Sequence, residues 1–407
     1  MTITTRKTCR VCGSDDLAIL IDYGLIPLAG GFLLPEEKEQ NVSYPLRLAR
    51  CNQCTLMQVM DTLPPDDIFR KYSYASSTTK TLINHFQQMA LDIVQAADAE
   101  GKLVVEFGCN DGVLLRPLRD AGAKVVGVDP SDVALRASRT DGWSLVNDYF
   151  NEGTAQQVKD QYGAAQVITA NNTFAHTDDL HTIMRGVDCL LADTGLFIFE
   201  VHYQGDLIQL VQYDTVYHEH TCYYSLRSLQ VLLEQYQFDI VDVMRISIHS
   251  GSIRVTAARN ASGRAATPFV GGMLADETGW DIARFVQQVN VRRDTLRRLV
   301  YDLRGAGKRV MAYGAAGRVT VLLNFCQLGT DLVEAVVDMS PLRYGRLVPG
   351  VLTPIIPVDE FHHDLPDYAI MTAWNYEQEI VGKEQSFLAS GGYFIIPLPD
   401  VRIVGAV

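Results

Sequence analysis

The sequence predicts an α/β protein in which a small metal-binding head is followed by two Rossmann-like units, and three observations carry that prediction. Two C-x-x-C pairs, Cys9/Cys12 and Cys51/Cys54, open the chain. A buried strand running into a glycine-containing turn and a helix occupies residues 103–129, and a second unit of the same kind occupies 310–338. At 407 residues the chain is longer than one hydrophobic core usually organises, so two or three domains are expected, and the three signals place them at 1–75, 76–260 and 261–407.

Composition narrows the class. With 47% hydrophobic and 20% charged residues the chain reads as globular, and a formal net charge of -13 argues against a nucleic-acid partner, because phosphate backbones repel such a surface. A small phosphorylated ligand remains compatible, since a local pocket can be positive. The N-terminus, MTITTRKTCRVCGSDD, lacks the apolar core of a signal peptide, and no run of about 18 apolar residues occurs. No membrane association and a cytoplasmic location are therefore expected. In a reducing compartment the eight cysteines read as metal ligands and buried thiols.

In the head, "CRVC" and "CNQC" each let two thiolates face one cation from a tight turn. Two such knuckles supply the soft tetrahedral set that suits Zn²⁺, and with Cys9, Cys12, Cys51 and Cys54 all ligating no position is left for water. The metal is expected to be structural. The residues between the pairs read as a small β-rich excursion. From about Thr81 apolar residues recur at helical spacing.

In the central unit a strand, Leu103 to Phe107, runs into Gly108-Cys-Asn-Asp-Gly112, and a second strand, Lys124 to Val128, ends in Asp129. Glycines let backbone approach a ligand at a helix start, and an acid at the next strand tip accepts ribose hydroxyls. A dinucleotide fingerprint would read G-x-G-x-x-G to cradle pyrophosphate. Here the run Glu106, Gly108, Asn110, Asp111 puts the carboxylates of Glu106 and Asp111 where a pyrophosphate would sit, which suits instead the ammonium and sulfonium of S-adenosylmethionine (SAM). Asn171, Asn172 and His176 fall at the carboxyl end of a third strand, where ligands of open α/β sheets bind. Glu200, His202 and Tyr203 end a further buried strand.

The segment "VYHEHTCYY" is the densest collection of proton carriers in the chain. Its residue types allow a metal site, an acid/base site or a polar structural strand. His218, Glu219 and His220 are consecutive, so a strand would put the two histidines on one face and the glutamate on the other. The helical spacing of H-E-x-x-H is absent, which argues against a metal.

Taken in order, the paired C-x-x-C head, E-x-G-x-N-D-G, "NTFAHTDDLH", "YHEHTCYYSL", "HSGSIRV" and "AYGAAGR" resemble the nucleotide-sugar C-methyltransferases, over essentially the whole chain. The resemblance implies an N-terminal zinc-binding domain, a central Rossmann-like class I SAM methyltransferase domain and a C-terminal Rossmann-like domain. It implies methylation at C3 of a 4-keto-deoxysugar carried on dTDP or GDP: a base removes the acidic C3 hydrogen, and the enolate takes the methyl group. It assigns the catalytic cluster to Tyr217, Glu219, His220 and His176 with a tyrosine of the "KYSYASS" loop. His220 is the expected base, Glu219 its orienter or a sugar ligand, and Tyr72 is preferred to Tyr74, which is kept as a substrate contact. His249 and Arg254 are expected to line the site, although this chain carries Ser250 where relatives commonly have glycine. The turn at Gly314 with Arg318 is read as the nucleotide-sugar platform, through backbone amides at a helix start and a guanidinium for phosphate. A monomer or small homo-oligomer is expected. Two other readings are a SAM-dependent O- or N-methyltransferase of a small molecule, and a non-catalytic protein binding SAM and zinc.

Overall fold

The computed structural model describes residues 3–66 and 75–406. The head is built from β1 (Thr4–Thr5), β2 (Leu17–Pro27), β3 (Ser43–Cys51), β4 (Met57–Val59) and β5 (Asp61–Thr62). β2 and β3 form an antiparallel hairpin that sets Leu17 opposite Cys51. The excursion between the cysteine pairs thus folds back on itself and lays the second knuckle beside the first.

The middle of the chain adds β6 (Leu103–Phe107), β7 (Lys124–Val128), β8 (Ser144–Val146), β9 (Ala165–Asn171) and β10 (Leu191–His202), then β11 (Cys222–Tyr223), β12 (Phe238–Ile246) and β13 (Ser252–Arg259). All but β11 form one sheet in the order β12-β13-β10-β9-β6-β7-β8. β6 to β10 run parallel, while β13 is antiparallel to both its neighbours. The chain moves outward from β6 through β7 to β8 and then returns to β9 on the other side. The β6/β9 crevice is therefore the topological switch point, where such sheets bind ligands.

β6 reads Leu-Val-Val-Glu-Phe and is buried throughout, so it needs cover on both faces. The helix Lys80–Ala97 covers one face with Leu82, Phe86, Met89, Ala90 and Ile93, packed on Val104, Val167, Leu196 and Ile198. The other face packs Val105 and Phe107 with Phe174, Phe197 and Val187. β11 leaves this sheet altogether. It pairs with β4, Cys222 opposite Gln58 and Tyr223 opposite Met57, and completes the head's sheet in the order β11-β4-β3-β2.

The C-terminal sheet contains β14 (Val310–Tyr313), β15 (Val336–Asp338), β16 (Ile355–Pro357), β17 (Tyr368–Met371), β18 (Tyr393–Ile396) and β19 (Arg402–Val404), ordered β16-β15-β14-β17-β18-β19. It is parallel apart from β19 and has its own switch point between β14 and β17. The head also touches this unit, as Leu33 N donates to Leu347 O at 3.0 Å and Arg346 Nη1 to Phe32 O at 3.1 Å. Among the described residues no helix is long and apolar enough to cross a membrane.

Candidate active site

The knuckle thiols converge. Cys9 Sγ lies 3.4 Å from Cys54 Sγ, Cys12 Sγ lies 3.5 Å from Cys51 Sγ, and all four sulfurs fall within 4.8 Å of one another. A disulfide requires about 2.05 Å, so these are free thiols. A tetrahedral Zn²⁺ with Zn–S of about 2.3 Å sets sulfur–sulfur edges of about 3.8 Å. The donor set fits structural zinc with sulfur at every position.

The crevice between β6 and β9 is shaped by its loop. Gly108 has a positive φ of 69°, and a Cβ there would collide with Thr173. Asn110 N donates to Asp129 Oδ2 at 2.9 Å and Ser131 N to Asp129 Oδ1 at 2.8 Å, fixing the acid at the tip of β7. Ser76 N donates to Asn110 Oδ1 at 3.1 Å and Ser77 N to Asp111 Oδ2 at 3.0 Å, fastening the loop to the segment before the helix Lys80–Ala97. Asn171 Nδ2 donates to Glu106 Oε1 at 3.1 Å, and Asn172 takes a left-handed φ of 54°.

Burial, reinforced by Asp129, Asp111 and Glu200 against the Asn171 bond, pushes the Glu106 carboxyl up to about 8. Glu106 Oε2, Asp111 Oδ1, Asn171 Oδ1 and Asn172 Oδ1 are buried with no hydrogen-bond partner among the described residues. Buried acceptors without donors are costly until a donor arrives, and Glu106 joins them once a nearby cation draws its carboxyl into the ionised form. A ring of acceptors at the carboxyl ends of β6 and β9 fits the cationic, donor-rich end of SAM and opposes a pyrophosphate.

The segment Val216–Tyr224 is not one strand. Residues 217–220 form a turn closed by His220 N donating to Tyr217 O at 3.0 Å, and pairing begins only at Cys222. The turn brings Tyr217 and His220 together, with Tyr217 Oη 3.0 Å from His220 Nε2. His220 Nδ1 lies 3.2 Å from Thr215 O, and because a carbonyl only accepts, Nδ1 carries a proton, which in the neutral imidazole leaves the lone pair on Nε2. The Thr215 carbonyl thus holds the imidazole in this orientation. His176 and His202 approach the same ring, at centroid distances of 5.1 and 4.6 Å.

Glu219 keeps some exposed surface, but its Oε2 is sealed without a partner among the described residues, and burial pushes its carboxyl up to about 8. The other side chains of the segment serve packing. His218 Nε2 lies 3.0 Å from Pro45 O, and burial pulls its imidazole down in pKa. Tyr223 Oη donates to Thr215 O at 2.8 Å and Tyr224 Oη to Phe174 O at 2.9 Å.

Arg254 is drawn into an ion-pair network at the same sheet edge: its Nε donates to Glu200 Oε1 at 2.8 Å and its Nη1 to Asp92 Oδ2 at 2.9 Å. Glu200 also bonds His85 Nε2 at 2.9 Å. Tyr72 and Tyr74 lie outside the described residues. Of His249 only the backbone is described, in the turn Ile248–Ser250 that leads into β13. Ser250 has a φ of 71°, the left-handed conformation that glycine adopts without strain.

In the C-terminal unit Gly314 has a φ of 108°, and Ala315 N donates to Asp338 Oδ2 at 2.7 Å, repeating the loop-to-acid bond of Asn110 and Asp129. Arg318 sits 5.3 Å over the Trp374 ring, with its Nη1 3.9 Å from Asp214 Oδ2, an oxygen that accepts from Trp374 Nε1 at 2.8 Å. Gly314 and Arg318 thus stand at one switch point, and the imidazole cluster and the buried acceptors gather at the other. Asp214 and Thr215 connect the two.

An acceptor-lined switch-point crevice with an adjoining imidazole site, on a tetrathiolate head, defines a SAM-dependent methyltransferase. Three family models match along the chain: "Putative zinc binding domain" at residues 9–69, "Methyltransferase domain" at 82–243 and "C-methyltransferase C-terminal domain" at 247–399. The chain is similar to "C-methyltransferase NovU" of Streptomyces niveus, with 36% identity over 406 residues that span 98% of this chain and 97% of that one. It therefore belongs to the C-methyltransferase family, and its cofactors are SAM and zinc.

A ubiquinone biosynthesis O-methyltransferase of Azorhizobium caulinodans is 28% identical over 119 residues, 29% of this chain and 46% of that one. Among solved structures, magnesium protoporphyrin IX methyltransferase from Synechocystis PCC 6803 with bound SAM aligns at a TM-score of 0.34 and 16% identity, over 44% of this chain and 79% of that one.

Thr215, His85 and Trp374 enter the site without having been singled out from sequence. A backbone carbonyl has no sequence signal. His202, by contrast, was named from sequence at the end of its strand, two residues after Glu200 and on the same face.

Proposed function

We propose that the enzyme methylates C3 of a nucleotide-linked 4-keto-deoxysugar through an enolate. The observation that carries the reading is the His220 imidazole, with Nδ1 held by Thr215 O and Nε2 facing the Tyr217 hydroxyl, in a site shared with two more imidazoles and a carboxyl at about 8. His220 Nε2 is the general base: it takes the C3 proton, and the resulting imidazolium keeps its Nδ1–H on the Thr215 carbonyl. The Tyr217 hydroxyl turns from Nε2 to the C4 oxygen and donates to the developing enolate. Glu219, protonated at neutral pH, is a second donor to the sugar, and His176 binds a sugar oxygen.

Glu106, Asp111, Asn171 and Asn172 hold SAM by its donors and Asp129 by its ribose; when bound, SAM supplies the electrophilic methyl group. The base yields its proton to solvent after transfer. Gly314 and Arg318 take the diphosphate, and Arg254 lies toward the sugar; Tyr72, Tyr74 and His249 keep the substrate roles that the resemblance implies.

The test is exchange at the substrate. Wild-type protein is incubated in D₂O with dTDP- or GDP-4-keto-deoxysugars and no SAM, and deuterium is followed at C3. Exchange that requires His220 supports the enolate. Methyl transfer to oxygen or nitrogen, without exchange at carbon in any substrate, would replace it with the O- or N-methyltransferase reading.

A further inference from the structure

The zinc head does more than cap the chain, because one residue between its first two ligands reaches the catalytic loop. Arg10 stands between Cys9 and Cys12 in "CRVC", and its side chain is fully buried. Its backbone N donates to Gln58 Oε1 at 3.0 Å, and Gln58 is the residue of β4 opposite Cys222 of β11. Its guanidinium donates from Nη1 to Val59 O at 2.6 Å, from Nη2 to Thr62 Oγ1 at 2.8 Å and from Nε to Asp178 Oδ1 at 2.9 Å. Nη2 also lies 2.8 Å from Asp178 Oδ1, and Arg6 Nη1 donates to Asp178 O at 3.0 Å.

Asp178 follows His176 by two residues. From the opposite side Thr221 Oγ1 donates to Ala175 O at 2.9 Å and to Thr177 O at 2.8 Å, and Thr221 is the residue after His220. The loop 175–178 is thus gripped by the zinc knuckle on one side and by the base-bearing segment on the other. A planar guanidinium with its donors in a fixed fork suits this task, since three acceptors on three strands or loops are held in one plane of contact.

We propose that Arg10 is a positioning residue, through which the zinc knuckle sets the His176 imidazole against His220. The knuckle fixes the backbone that aims the guanidinium; the guanidinium fixes Asp178; Asp178 fixes the loop. The inference rests on the proposed role of His176 for its catalytic consequence, but the positioning itself is a structural claim that can be read without substrate.

Arg10→Met and Asp178→Asn are prepared alongside His176→Ala; Asp178→Asn leaves the knuckle untouched and answers where Arg10→Met loses its metal. Zinc content and SAM affinity are expected at wild-type values in Asp178→Asn. Histidine ring NMR is expected to show the His176 resonances displaced and broadened, with His362 and His363 unchanged. Exchange at C3 is expected to fall about 100-fold with little change in KM, as for a catalytic group displaced by about 1 Å. In the His176→Ala background neither substitution is expected to lower exchange further.

Unmoved His176 resonances would overturn the positioning. An equal additional loss in the His176→Ala background would overturn the route through His176. Wild-type exchange in His176→Ala, with displaced resonances in Asp178→Asn, would refute the role of His176 in the reaction and leave Arg10 as its anchor.

Discussion

Glu219→Gln separates charge from shape at the catalytic turn. Burial pushes the Glu219 carboxyl from its ordinary 4.5 to about 8, against a bond from its own backbone N–H, and leaves Oε2 without a partner among the described residues. At about 1.4 kcal/mol per tenfold change, that difference corresponds to about 5 kcal/mol. The sign follows from proton counting. Between pH 4.5 and about 8 the unfolded chain has released this proton and the folded chain has kept it, so the contribution to stability is whole below 4.5 and declines as pH rises. It levels off above about 8.

Glutamine carries no such proton. The stability of the variant relative to wild type should therefore rise by about 1.4 kcal/mol per pH unit, reaching about 3.5 kcal/mol near pH 7 and about 5 kcal/mol above pH 8. Glu106, also pushed up to about 8, is present in both proteins and cancels. Urea unfolding of the two proteins at pH 5, 6, 7 and 8, followed by tryptophan fluorescence, reads the gap. A gap that stays constant across this range would refute the buried, proton-holding carboxyl and with it the role of Glu219 as a neutral donor. In the same series the alkaline limb of kcat/KM near pH 8 should be lost in the variant, because glutamine keeps a donor at every pH.

His220→Ala should abolish deuterium exchange at C3 while SAM affinity, measured by calorimetry, persists. Ser250→Gly relieves a left-handed residue and should stabilise the protein by about 0.5–1 kcal/mol, raising the midpoint of thermal unfolding. Gly108→Ala puts a Cβ into Thr173 and should weaken SAM binding by at least about tenfold, with zinc content unaltered. Cys51→Ser with Cys54→Ser should remove the metal, read by elemental analysis, and should lower exchange even though the cluster of imidazoles lies outside the metal's ligands.

The parts of the fold that the sequence made legible are those written in local pattern. Leu103–Phe107, Lys124–Val128 and Val310–Tyr313 are short, largely apolar runs bounded by turn residues, with Glu106 and Lys124 as their charged members, and each is a strand over the expected span. The loop-and-acid pairs Gly108/Asp129 and Gly314/Asp338 were visible because glycine and carboxylate have few other reasons to alternate with buried strands. The turn at 217–220 was harder. Alternating His and Glu suggested period-two geometry, but Thr215, Tyr217 and Tyr223 hydrogen-bond across the segment, and that tertiary network outweighs strand propensity. The role of Arg10 was hidden for a different reason: a buried arginine is recognised by its partners, and Asp178 and Val59 are remote in sequence.

The excursion of β11 into the head's sheet bears on how such a protein can be built and rebuilt. β4 is an interior strand only once Tyr223 has been synthesised, so the head emerges from the ribosome with an open edge and waits for the chain behind it. A graft that exchanged only the first residues between two relatives would join one protein's β4 to another's β11 across a fully buried seam. Exchanging heads between members of the family therefore means moving two separated stretches of sequence together, or neither.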